Sequence, residues 1–406
     1  MVRGPRRPGH GLLRPLQAAL RRGMNMDPRA ATNPMFGPNR FKLGVFSANC
    51  DGGLTVSMAP ERWRADWDDI VAMCQLADDA GLEFILPVAK WRGYQGEANV
   101  YGKSYETLTH GAAIGALTKQ ICIFSTVHVP LVTPAFAAKA MATIDHVTHG
   151  RAALNIVCGW NQPEFDLHGV TIEQDKRYEH GLEWWRVWSK LLEGGPEFDW
   201  EGTFFKLKRL QTDPVSVQRP RPLVMSAGFS PKGRDFAAQA ADALFTTVTE
   251  LEQIPSLLED VARYMVPYGR SMPVYAMGHV VCRPTRREAE EFFHYFAEEM
   301  ADAKARKYHR ENRGVTAGDG AATVARPFDN RFTRSTGKGY EGTYPGSYPF
   351  VGTPDDVAAE MAGMSEAGLA GSTVAFLDYL KEIPYFIAEV LPRLERLGLR
   401  APAALG

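Results

Sequence analysis

Asn155 interrupts an apolar run, Ala152-Ala153-Leu154-Asn155-Ile156-Val157, and the chain then breaks at Gly159 into a loop carrying Trp160, Asn161 and Glu164. An amide among aliphatic side chains needs hydrogen-bond partners, and a bound ligand is one candidate for them. Three more polar residues stand at or just past the ends of short apolar runs: Lys90 after 82–87, Thr126 closing 121–126, and Ser230 after 223–228. Taken singly each has an ordinary reading. Lys90 and Glu164 suit solvated loop charges, Thr126 a satisfied strand-end hydroxyl, and Ser230 a helix N-cap. The turn Gly228-Phe229-Ser230-Pro231 places a proline at the first helical position. The backbone N–H groups there, with the Ser230 hydroxyl, suit a phosphate. Arg177-Tyr178 offers a cation and a phenol that can face the same phosphate.

Convergence of these residues requires a scaffold that brings strand ends together. Short apolar runs at 41–46, 82–87, 121–126, 152–157, 223–228, 243–248, 274–281 and 373–377 alternate with segments of helical periodicity, the signature of a parallel α/β sheet. Eight such repeats predict an α/β fold, a (β/α)8 TIM barrel, whose active sites form at the C-terminal ends of the strands. Trp184, Trp185 and Trp188 lie in one helical segment and read as packing against the barrel. The barrel is expected over 41–400, with insertions at its C-terminal face; the one at about 312–348 is too long for a plain connector and suited to a lid or a mobile segment. The first forty residues, arginine-rich and without an acidic residue up to Met26, are expected to be a disordered extension or the product of a misplaced start, with Met24, Met26 or Met35 as the true beginning.

Composition removes several classes. Lys and Arg number 46 against 47 Asp and Glu, which argues against a nucleic-acid partner bound by charge. No segment has the length and apolarity of a membrane span, and a cytoplasmic location is expected. The five cysteines, Cys50, Cys74, Cys122, Cys158 and Cys282, form no CxxC pair, so neither zinc nor a redox dithiol is expected. HExxH, GxSxG and P-loop motifs are absent. Gly337-Lys338-Gly339-Tyr340-Glu341-Gly342 spells GxGxxG but follows no apolar strand, so it lacks the context of a dinucleotide site. The chemistry is then expected to belong to a bound cofactor.

The chain resembles the bacterial luciferase-like flavin monooxygenases over about residues 40 to 400. The resemblance rests on Ala89-Lys90-Trp91-Arg92-Gly93, on Ala142-Thr143-Ile144-Asp145-His146 with Gly150-Arg151, and on Asn155-Ile156-Val157-Cys158-Gly159-Trp160 with Glu164. Asp175-Lys176-Arg177-Tyr178 and Ser226-Ala227-Gly228-Phe229-Ser230 extend it. Within the family it is nearest to the pyrimidine and dimethyl sulfone monooxygenase branches. The resemblance implies reduced FMN (FMNH2) and O2, a separate NAD(P)H:flavin reductase, a small-molecule substrate (an N-heterocycle amide, a sulfone or a sulfonate), and a homodimer or homotetramer. It implies flavin contacts from Ala89, Lys90, Asn155, Glu164, Arg177, Tyr178, Gly228 and Ser230, and an oxygen site at Thr126 and Asn155. His128, two residues past Thr126, departs from the pyrimidine branch. The alternatives are a deazaflavin (F420)-dependent oxidoreductase on the same barrel and a catalytically silent flavin-binding subunit.

Overall fold

A computed structural model describes residues 27–159, 161–314, 332, 342–344 and 346–402. Eight parallel strands close into a barrel in simple sequential order: β1 (Lys42–Phe46), β2 (Phe84–Leu86), β3 (Cys122–His128), β4 (Ala152–Val157), β5 (Leu223–Ser226), β6 (Ala243–Thr246), β7 (Val274–Ala276) and β8 (Gly371–Val374). The barrel is sealed where Lys42 pairs with Gly371 and Val45 with Val374. Nearly every strand residue is buried, because helices cover the outside while side chains fill the inside. This is why the strands read as apolar runs and not as alternating patterns.

The barrel helices are α1 (Trp67–Asp79), α2 (Thr107–Leu117), α3 (Pro134–Val147), α4 (Arg177–Glu193), α5 (Pro231–Ala240), α6 (Ile254–Met265), α7 (Pro354–Ala367) and α8 (Tyr379–Glu389). Trp184 and Trp188 of α4 are fully buried in the main core and Trp185 packs against it, as the apolar face of that helix predicts. No helix among the described residues is long and apolar enough to cross a membrane.

The structure departs from the sequence expectations in three places. The run 274–281 is not one strand. It leaves the barrel after Ala276, and Gly278–Cys282 pairs in parallel with Tyr348–Gly352 in a separate two-stranded sheet. Both halves are buried, so hydrophobicity gave no sign of the break. An antiparallel hairpin, Phe198–Glu201 with Lys206–Leu210, follows α4. Its strands are too charged to read as strands; Glu183 of α4 fixes its turn by accepting the N–H groups of Thr203, Phe204 and Phe205.

Residues 27–40 form the third departure, since they belong to the fold. Two 3-10 turns, Pro28–Ala31 and Pro34–Phe36, are capped by Asp27 and Asn33. Met35 enters the core, and buried Asn33 donates to Gln218 Oε1 at 3.1 Å. The Asp-Pro and Asn-Pro pairs were the available signal, as a capping residue followed by proline opens a helix. Residues 1–26 lie outside the described residues. So do Trp160 and most of the 312–348 insertion with its Gly337–Glu341 motif, although Tyr348 at its end already belongs to the two-stranded sheet.

Candidate active site

The β3–β4 pairing sets Thr126 directly beside Asn155. Thr126 has a single hydroxyl proton, which it donates to the carbonyl of Pro87 at the end of β2. Its oxygen is thereby left to accept, and Asn155 Nδ2 donates to it at 3.2 Å. That sequence of bonds fixes the amide: the nitrogen faces Thr126 and Oδ1 faces away. Asn155 is 5 % exposed, and its Oδ1 is sealed from solvent without a partner. The two side chains proposed from sequence to share a small ligand first bond each other, and Asn155 is the one with an unsatisfied atom.

A charged cluster lies beside this pair. Glu164, in the first turn of the short helix Gln162–Leu167, is fully buried. Its carboxylate faces Lys90 Nζ at 3.6 Å and His128 Nδ1 at 3.6 Å, and accepts the Trp91 backbone N–H at 3.3 Å. The loops after β2 and β4 and the last residue of β3 each contribute to it. Asn49, from the loop after β1, donates to the carbonyls of Val88 and Tyr105 and accepts the Val88 N–H, which pins the backbone next to Ala89 and Lys90. The ammonium of Lys90 also sits 5.0 Å from the ring of Tyr94 and 5.8 Å from that of Tyr101, a placement favoured by the negative faces of the rings. Burial lowers the pKa of His128 to about 4, with Glu164 pulling the other way, so its imidazole is neutral at neutral pH.

The turn from β5 to α5 forms the second part. A Cβ on Gly228 would lie 2.4 Å from the carbonyl oxygen of Gly233, so the backbone at the start of α5 approaches the strand end as only glycine permits. Ser230 caps α5 by accepting the Gly233 N–H at 3.1 Å. The Tyr178 hydroxyl reaches Ser230; burial pushes this phenol up to about 12, offset in part by the Ser230 hydrogen bond, so it remains a donor. Arg177 turns elsewhere. Its guanidinium donates to Gln162 Oε1 at 2.6 Å and covers the ring of Phe165, bracing the loop after β4. A side chain at Gly159, with φ of 97°, would run into that same ring.

A cavity at the mouth is lined by Ala89, Lys90, Trp91, Thr126, His128 and residues at the start of α2. Seven of the nine residues named from sequence, Ala89, Lys90, Thr126, Asn155, Glu164, Gly228 and Ser230, stand in the C-terminal halves of β3 and β4 or beyond the ends of β2, β4 and β5. Tyr178 joins Ser230, while Arg177 supports from the side. Sequence reasoning left His128 without a role and gave no special weight to Asn161, whose buried amide has no partner at either end. Their signal was polarity at and beyond the ends of β3 and β4. Cys50 and Cys158 are buried, and burial pushes both thiols up, which removes them as nucleophiles.

The chain is similar over most of its length to known monooxygenases. The FMNH2-dependent dimethylsulfone monooxygenase of Pseudomonas putida is 27% identical over 375 residues, covering 90% of this chain and 98% of that protein. The pyrimidine monooxygenase RutA of Acinetobacter baylyi is 26% identical over 357 residues, covering 86% and 94%. Among solved structures, long-chain alkane monooxygenase (LadA) superposes with a TM-score of 0.77 at 22% identity, over 91% of this chain and 94% of that one, a likeness of fold. The family model for luciferase-like monooxygenases matches residues 41–371. The chain belongs to the luciferase-like monooxygenase family.

Proposed function

We propose that this protein is the oxygenase of a two-component system. It takes FMNH2 from a separate NAD(P)H:flavin reductase and uses O2 to oxygenate or cleave a small organic molecule, an N-heterocycle amide, a sulfone or a sulfonate. One juxtaposition carries the reading. A glycine-built helix N-terminus at Gly228–Ser230 and an unsatisfied buried amide at Asn155 stand at the ends of neighbouring strands. The first suits a phosphate and the second suits the polar edge of a ring.

The residues present fit FMN. Gly228, Ser230 and Tyr178 would hold its phosphate, and Ala89, Lys90, Asn155 and Glu164 would line its ring, with Arg177 keeping the β4 loop in place. When bound, reduced flavin supplies the two electrons that activate O2. The chain's own contribution is positioning. Thr126 holds the Asn155 amide in one orientation, and the fully buried Tyr94 and Tyr101 rings keep water from the Lys90 side of the mouth.

The test is oxygen uptake with chemically reduced FMN and labelled O2 across uracil, dimethyl sulfone, alkanesulfonates and aromatic amides, read by mass spectrometry. One label atom in a product supports the proposal. Activity with reduced deazaflavin and no oxygen uptake would replace it with the F420 reading. Absence of turnover with every substrate, despite FMN binding, would favour the silent subunit.

A further inference from the structure

His128 is the buried titratable group at the mouth to which the reading above assigns no task. It lies two residues beyond Thr126 on β3, so both side chains leave the strand on the same side. The negative carboxylate of Glu164 favours a proton on the ring nitrogen that faces it in the neutral imidazole. That nitrogen is Nδ1, 3.6 Å from Glu164 Oε2 and sealed from solvent. His128 lines the cavity, and Nε2 is the nitrogen left for it, with a lone pair to offer. Asn155, paired across the strands with the cavity-lining Thr126, adds a second acceptor, since Thr126 occupies its Nδ2 and leaves Oδ1 bare. The β3–β4 pair therefore meets a ligand with acceptors. The cation beside them, Lys90, is already set against Glu164.

We propose that His128 is a specificity-determining residue which, together with Asn155, takes the N–H edge of a planar ring amide. This rests on the monooxygenase reading and narrows its substrate. Sulfone and sulfonate oxygens are acceptors, and would bring no donor to two acceptors that lose water on binding. A cyclic amide or imide brings the missing donor, and a site built for a hydrogen bond rejects the analogue lacking it. The same N–H chemistry is present on the flavin ring, so substrate and cofactor have to be separated by experiment.

Flavin-free protein is titrated with uracil, 1,3-dimethyluracil and dimethyl sulfone, and separately with FMN and N3-methyl-FMN, for the wild type, His128→Asn and His128→Phe. Loss of one neutral hydrogen bond corresponds to roughly five- to tenfold in affinity. If the substrate supplies the N–H, wild type prefers uracil to its dimethyl form by that factor, His128→Phe abolishes the preference, and the amide oxygen of His128→Asn restores part of it. If the pattern appears between FMN and N3-methyl-FMN and not between the uracils, His128 reads the cofactor and the inference about the substrate is overturned. Equal wild-type binding of the N–H and N-methyl members of both pairs overturns the inference, whether or not the variants fold. Turnover of dimethyl sulfone with no N–H preference overturns it while leaving the monooxygenase reading intact. The N–H preference without oxygen uptake does the reverse.

Discussion

Thr126→Val keeps the shape of the side chain and removes its hydroxyl, and the bonds at that hydroxyl allow its effect to be worked out. Two buried groups lose their partner: the Pro87 carbonyl, which accepts from Thr126, and Asn155 Nδ2, which donates to it. Each stranded group costs about 1–3 kcal/mol, so unfolding free energy should fall by roughly 2–6 kcal/mol. The same change frees the Asn155 amide to turn, since nothing else fixes which end faces the mouth. We expect FMN to bind with at most a severalfold loss, while flavin oxidation uncouples from product and releases hydrogen peroxide. Thr126→Ser, which retains the hydroxyl, should recover both stability and coupling. The assays are urea unfolding and the ratio of product to oxygen consumed. A Thr126→Val protein of wild-type stability and wild-type coupling would refute the reasoning, because the hydroxyl would then be holding nothing.

Three further outcomes are expected. Ser230→Ala removes the cap of α5, lowering stability by about 1 kcal/mol and weakening FMN about tenfold if the hydroxyl also meets the phosphate; unchanged affinity in a fluorescence titration would take Ser230 out of the site. Gly228→Ala drives a methyl group into the Gly233 backbone, with 2.4 Å to its oxygen; we expect a cost of roughly 1–3 kcal/mol and a loss of FMN affinity greater than that of Ser230→Ala. Burial lowers His110 and His128 to about 4 and His279 to about 3. The unfolded chain takes up these protons first, so their stabilisation is complete above the ordinary histidine value of 6.5 and is lost as pH falls toward 4 and 3. Around His128, Glu164 favours protonation while Lys90 and His168 oppose it, and the raised carboxyl of Glu382 acts in the opposite direction on stability. Unfolding free energy should drop by at least about 2 kcal/mol between pH 6.5 and 4.5; equal denaturant midpoints at those two values would show that these histidines are already charged in the folded protein.

The barrel was legible because burial on both faces gives each strand an apolar run and each helix a one-sided stripe, and these signals are local. Asn155 and Ser230 were legible for the same reason, each being a polar residue where the local pattern demanded something else. The split after Ala276 was not, because Val274 to Val281 is buried throughout and only tertiary pairing distinguishes its halves. His128 and Glu164 stand 36 positions apart, and their contact is fixed by barrel register, which no window along the chain contains. Residues 27–40 were hidden because they are held by Asn33 to Gln218 and by Met35 in the core, contacts made across the barrel rather than along the segment.

The seam between β1 and β8 also governs how this molecule comes into being. Lys42 finds Gly371, and the Phe41 N–H finds the Leu399 carbonyl, so the first strand waits for almost the whole chain before its outer neighbour exists. Until β8 is made, any sheet already formed carries β1 as a bare edge. Such edges recruit strands from other chains, and contacts this distant in sequence form slowly. The yield of active protein should then be set less by the stability of the closed barrel than by how long that edge stays exposed. Slower synthesis at lower temperature, or a chaperone that shields the edge, would raise it without altering a single contact in the finished molecule.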